Sequence, residues 1–65
     1  MKILLNGAWH DTTANDLEAA LREFGYSAAA LATAVNGEFV PAGERAQTLV
    51  RDGDRVEVLA PMQGG

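Results

Sequence analysis

Short apolar stretches with strand character stand at both ends of the chain, and a helical spacing of apolar residues stands between them. Lys2 to Leu5 is an apolar run of strand length, and Asn6-Gly7 behind it is a strong hairpin signal. Both central positions of the tightest hairpin turn need positive φ, which Asn and Gly tolerate best. Ala8 to Thr12, carrying Trp9, is then the returning strand. Leu17, Ala20, Leu21 and Phe24 recur at i, i+3, i+4 and i+7, the spacing of one buried helical stripe. Asn15 is placed to cap that helix, with Glu18 three positions on as the reciprocal partner of a capping box, and Gly25 to close it. Residues 32–35 read as a strand, Asn36-Gly37 as a second hairpin turn, and Glu38 to Val40 as its return. Pro41 stops that ladder because it has no N–H to give. Residues 42–50 are irregular, with one helical turn expected near Glu44 to Gln47. Asp52-Gly53 is a third turn, and in Arg55 to Ala60 the residues Val56 and Val58 alternate with Arg55 and Glu57 as in a half-buried strand. The small-residue stretch Ala28 to Ala30 is a connector without an assigned element.

The order hairpin, helix, hairpin, strand predicts an α+β domain. One helix covers one face of a mixed sheet of about five strands, the most that this length allows. The first and last strands are expected side by side in the middle and parallel, because both alternate cleanly and both offer an apolar face to the helix. Residues 1–60 form the domain and residues 61–65 a flexible tail. If Ile3, Leu5, Val56 and Val58 face the helix, Leu4 and Leu59 face outward. Phe39, opposite Ala34 across the second turn, lies away from Val40 on the same open face. Leu4, Phe39 and Leu59 are therefore the candidate partner-binding patch, an apolar group on an uncovered sheet.

Composition narrows the function by exclusion. At 65 residues the chain is one domain, too small to be hollowed into a deep substrate cavity. It has no cysteine, which excludes disulfides and thiolate chemistry. No stretch approaches a membrane span, and Asn6-Gly7 interrupts the opening apolar run too early for a signal sequence, so a cytoplasmic location is expected. The net charge is −4, and Lys2, Arg22, Arg45, Arg51 and Arg55 are scattered. Nucleic acid, which needs concentrated positive charge, is a poor fit, and a partner with a basic docking surface a better one.

Few side chains offer chemistry. His10 is the only histidine, has no recognisable nucleophile beside it, and is expected on the surface of the first hairpin. Asp52 and Asp54 flank a turn glycine and are too few for a loop cation site, so no metal is expected. Trp9 is expected to cap the edge of the core, and Phe24 to lie inside it. No catalytic residue is assigned in this chain. The chemistry is sought at the end instead. Pro61-Met62-Gln63 lead into Gly64-Gly65, and residues without a Cβ make a thin thread that enters a narrow active site.

These residues carry a family resemblance along the whole length. Met1 to Gly7, Ala34-Val35-Asn36-Gly37-Glu38-Phe39-Val40-Pro41, Asp52-Gly53-Asp54-Arg55-Val56-Glu57-Val58 and above all Pro61-Met62-Gln63-Gly64-Gly65 resemble the sulfur carriers of thiamin thiazole biosynthesis, the ThiS family, within the ubiquitin-like β-grasp group. The chain departs from that pattern at Ala42-Gly43-Glu44-Arg45, so no partner contact is carried over to residues 42–45. The resemblance implies that an adenylyltransferase activates the Gly65 carboxylate with ATP. A desulfurase-type donor then supplies sulfur, and the thiocarboxylate so formed serves thiazole synthase. Met62, Gln63 and Gly64 thread the partner's channel, and no cofactor is bound to the chain itself. The residues agree with this division of labour. A terminal carboxylate is ionised at neutral pH and needs activation, and the chain has no phosphate-binding loop to do it. Rival destinations are the small subunit of molybdopterin synthase, which also ends in Gly-Gly, a ubiquitin-like tag attached to proteins, and a binding module with an idle end. Lys2 is the only lysine, which argues against polymeric tagging.

Overall fold

The computed structural model describes residues 1–26 and 32–59. The connector at Ala28 to Ala30 and the tail at residues 61–65 lie outside the described residues. The elements run β1 (Lys2–Leu5), β2 (Ala8–Asp11), α1 (Leu17–Glu23), β3 (Ala32–Val35), β4 (Glu38–Val40), a 3-10 helix (Ala42–Gln47) and β5 (Arg55–Leu59). The strands form one sheet in the order β2-β1-β5-β3-β4, with β1 and β5 parallel and the other pairs antiparallel. The first and last strands are thus adjacent and parallel, and β5 is central, as the alternation predicts. A five-stranded mixed sheet gripping one helix is the ubiquitin-like β-grasp architecture.

The core lies between one face of the sheet and α1. Ile3 and Leu5 from β1, Val56 and Val58 from β5, Val40 from β4, Leu17 and Leu21 from α1, and Val50 form one buried cluster. Each such side chain, fully buried, contributes about 1.5–3 kcal/mol. Phe24 sits at the margin of this cluster, half-buried rather than fully inside as expected. There its ring meets His10, with centroids 5.0 Å apart. His10 is likewise half-buried rather than on the open surface, because β1–β2 register places it beside Ile3 on the helix side of an edge strand.

The cap of α1 differs from expectation by one residue. Asp16, not Asn15, is the N-cap, and its carboxylate accepts from the Ala19 N–H at 2.8 Å. The reason is tertiary. Residues 48–50 run beside the helix entry: the Val50 N–H donates to the Asn15 carbonyl and the Leu17 N–H to the Thr48 carbonyl, each at 2.9 Å. Asp16 itself bridges Leu49, so the chain stays extended one position longer. Glu18 does not complete a capping box but accepts from Arg22 one turn on. At the other end Gly25, with φ +84°, closes the helix as predicted. The Tyr26 N–H reaches the Leu21 carbonyl and the Gly25 N–H the Arg22 carbonyl, the paired bonds of a Schellman motif.

The helical turn expected near Glu44 to Gln47 within an irregular stretch is part of a 3-10 helix of two turns, Ala42–Gln47, which delivers Arg45 into the interior at 1% exposure. Its Nε donates to Thr33 Oγ1 at 3.0 Å, and that hydroxyl donates onward to the Val40 carbonyl at 2.8 Å. Among the described residues no buried side-chain nitrogen or oxygen lacks a partner.

Candidate functional site

The face of the sheet turned away from α1 carries no covering element among the described residues. Parity along the strands decides what stands there. On β1 the odd residues Ile3 and Leu5 go into the core, which leaves Leu4 outside. On β5 the even residues Val56 and Val58 go in, which leaves Arg55, Glu57 and Leu59 outside. On β4 Val40 goes in, which leaves Phe39 out, opposite Ala34.

These positions converge. Register sets Leu4 beside Arg55, Ala34 between Glu57 and Phe39, and Ala32 beside Leu59. Leu4, Phe39 and Leu59 therefore line one shallow depression of about 390 Å³, floored by the small side chains of Ala32 and Ala34. Phe39 is 68% and Leu59 70% exposed, while Leu4 is half-buried. Arg55 and Glu57 supply its charged groups. The lining is mostly apolar, a surface that gains free energy when a partner removes it from water.

Trp9 lies on this face too. It is 59% exposed and directly opposite Leu4 across the first hairpin, so it does not cap the core as expected. Its parity on β2 is opposite to that of His10, and His10 takes the helix side. Trp9 borders a second concavity with Lys2, Asp52 and Gly53, and so extends apolar ground across β1 from the main depression.

Asp52 and Asp54 are occupied in shaping their turn. Asp52 accepts from the Lys2 N–H at 2.8 Å, and Asp54 accepts from the Arg51 N–H at 2.9 Å and from Asn36 Nδ2 at 3.0 Å. Among the described residues no group of three or more His, Cys, Asp or Glu is placed to hold a metal ion. No helix among them is long and apolar enough to cross a membrane.

Sequence reasoning missed the part played by the two turn asparagines. Asn6 and Asn36 hold φ +49° and +52°, ahead of glycines at +84° and +86°. Beyond making the turns, each carboxamide bonds to the strand between the hairpins. Asn6 Oδ1 accepts from the Val58 N–H at 2.8 Å, and its Nδ2 donates to the Val58 carbonyl at 3.2 Å. Asn36 Oδ1 accepts from the Arg55 N–H at 2.9 Å. The available signal was that both turns begin with Asn, which combines tolerance of positive φ with a side chain carrying the donor and acceptor of a peptide group.

Met62, Gln63, Gly64 and Gly65 lie outside the described residues. They follow from Leu59, the last described residue, which stands in the wall of the depression.

Comparison with known proteins gives a consistent picture. The ThiS family model matches residues 3–65. A thiazole synthase from Paramagnetospirillum magneticum is 38% identical in an alignment of 66 residues that takes in 100% of this chain and 20% of that protein. The chain thus spans about a fifth of the length of this curated relative. The crystal structure of the thiamine biosynthesis protein ThiS from Geobacter metallireducens superposes with a TM-score of 0.83 at 28% identity, covering 100% of both chains. A solution structure of a thiamine biosynthesis protein from the same organism gives 0.81 at 28% identity, covering 100% of this chain and 88% of the other.

Proposed function

The chain belongs to the ThiS family, whose members are small sulfur carriers, and from that premise we propose that the Gly65 carboxylate is the group that carries the sulfur. A partner adenylyltransferase brings this carboxylate to ATP. One carboxylate oxygen attacks the α-phosphorus, pyrophosphate leaves, and Gly65 becomes an acyl-adenylate. A persulfide on a desulfurase-type donor attacks the acyl carbon and expels AMP. A thiol then cleaves the resulting acyl disulfide, leaving a thiocarboxylate on Gly65 and a disulfide behind. The thiocarboxylate gives its sulfur to thiazole synthase.

The observation that carries this reading is where the apolar depression lies relative to the tail. Leu59 is both a wall of the depression and the residue from which the tail departs. A partner gripping Leu4, Phe39 and Leu59 holds the chain six residues before Gly65, a separation that six residues span by at most about 22 Å. Docking and chemistry are then separate tasks on adjacent parts of the chain, and the carrier needs no catalytic group of its own. The thiazole synthase of P. magneticum that contains a segment similar to this whole chain supports thiazole synthase as the destination. So does the family match, which favours it over molybdopterin formation or protein tagging.

The test is ATP–pyrophosphate exchange catalysed by the adenylyltransferase, run beside a melting curve. Removal of Gly65 withdraws the carboxylate by up to about 3.6 Å, more than a near-attack geometry tolerates. Exchange should be abolished with the melting temperature unchanged. Normal exchange by the shortened chain would show that the Gly65 carboxylate is not the reacting group.

A further inference from the structure

We propose that Asn6 is a positioning residue for partner docking: by holding the backbone of Val58 it keeps Leu59 fixed in the docking face before the partner arrives. This rests on the carrier reading above and concerns the same face.

The argument starts from an asymmetry in β5. On its β3 side the strand is paired along its length, from Val56 opposite Val35 to Leu59 opposite Ala32. On its β1 side, backbone pairing ends early. The register covers only Leu4 with Arg55 and Leu5 with Val56, and the Asn6 N–H makes the last backbone bond, to the Val56 carbonyl at 2.9 Å. There β1 must turn, because Gly7 at φ +84° reverses the chain. Glu57 to Leu59 would go on with one flank bare.

Asn6 supplies the missing rung. Its carboxamide has the donor and acceptor of a peptide group, and it spends both on Val58, at 3.2 and 2.8 Å. Two demands meet at this position. The turn requires positive φ, which Asn, Asp and Gly accept. The rung requires a donor and an acceptor together, which Asp and Gly lack. Asparagine satisfies both. Asn6 and Gly7 also line the depression, so the rung lies within the docking face itself. A Leu59 that is already held when the partner arrives spares the complex an ordering cost, and that gain belongs in affinity, not in the chemical step.

Asn36 is the internal control. It makes the same turn with the same carboxamide, but it bonds at Arg55, at the entry end of β5 and four residues before Leu59; Arg55 lines the depression, whereas Asn36 does not. Asn6→Gly and Asn36→Gly each keep the turn and remove one clamp. With the adenylyltransferase held constant, Asn6→Gly should raise the KM for the carrier in ATP–pyrophosphate exchange by roughly three- to tenfold, with kcat unchanged. Asn36→Gly, whose clamp sits at Arg55 four residues before Leu59, should raise KM by less than Asn6→Gly does, with kcat also unchanged. Amide exchange at Val58 should quicken only in the first variant, and at Arg55 only in the second. Asn6→Asp keeps the acceptor for the Val58 N–H and loses the donor. It serves if the glycine variant does not fold, with a smaller rise in KM expected. An unchanged KM in Asn6→Gly, an equal rise in Asn36→Gly, or a loss confined to kcat would each overturn the proposal. If the unaltered chain supports no exchange, the carrier reading fails instead, and Val58 amide exchange still reports whether the clamp exists.

Discussion

A side chain on β5 serves the core or the open face according to its parity, and Leu59 falls on the open side with 70% of its surface exposed. Leu59→Glu therefore removes little packing and should leave the melting curve nearly unchanged. In the docking reading it places a charge in an apolar interface, and the dissociation constant for the adenylyltransferase should rise by roughly tenfold or more. Unfolding of this variant would show that Leu59 is core after all. Residue-level legibility followed the quality of the local pattern. Leu4 and Leu59 could be placed because each sits in a run with a clear period of two. Trp9 could not, because the four residues of β2 include one large apolar side chain and no alternation around it. Arg45 was the least legible. It stands in a polar stretch near Gly43, and a partner that its guanidinium meets in the interior, Thr33, comes from a strand twelve positions earlier in the chain.

Elements were legible where short-range chemistry alone fixes them. Both Asn-Gly turns, the closing Gly25 and the end of β4 at Pro41 follow from φ preferences and a missing N–H, which act within a few residues. The start of α1 does not, since Asn15 and Asp16 are equally good caps by themselves. The choice is made by residues 48–50, which hold Asn15 extended through its backbone. Asp16→Ala should accordingly cost about 1 kcal/mol, a fall in melting temperature of roughly 4–8 °C in a domain this small. Asn15→Ala should shift it by much less, because the bond from Asn15 to Val50 uses the main-chain carbonyl and survives the substitution. Equal losses in the two variants would return the cap to position 15. The clamps on β5 were hidden for a similar reason. The turn asparagines announce a hairpin within their own segment, whereas the strand they hold lies up to 52 residues away.

At the scale of the molecule, three properties fit a carrier. The sheet places its first and last strands together at the centre, so the chain leaves a well-supported strand. The open face gathers Leu4, Phe39 and Leu59, the last of them at the end of the described residues of β5. The chain has no cysteine to hold a persulfide, which supports the proposal that a sulfur atom in transit is placed on the Gly65 carboxyl group. The fold and the outward patch were thus legible from alternation and turn chemistry, while the site of reaction was suggested by the tail and its family resemblance, not by any side-chain cluster. The central claim, that sulfur rides on Gly65, is tested most directly by mass spectrometry of the intact protein and its C-terminal fragment, isolated from its own cells during thiazole synthesis. The account predicts a fraction heavier by about 16 Da, oxygen replaced by sulfur, with the whole increment in the fragment containing Gly65. A protein without that increment in any fraction, or with it on an internal residue, would contradict the account.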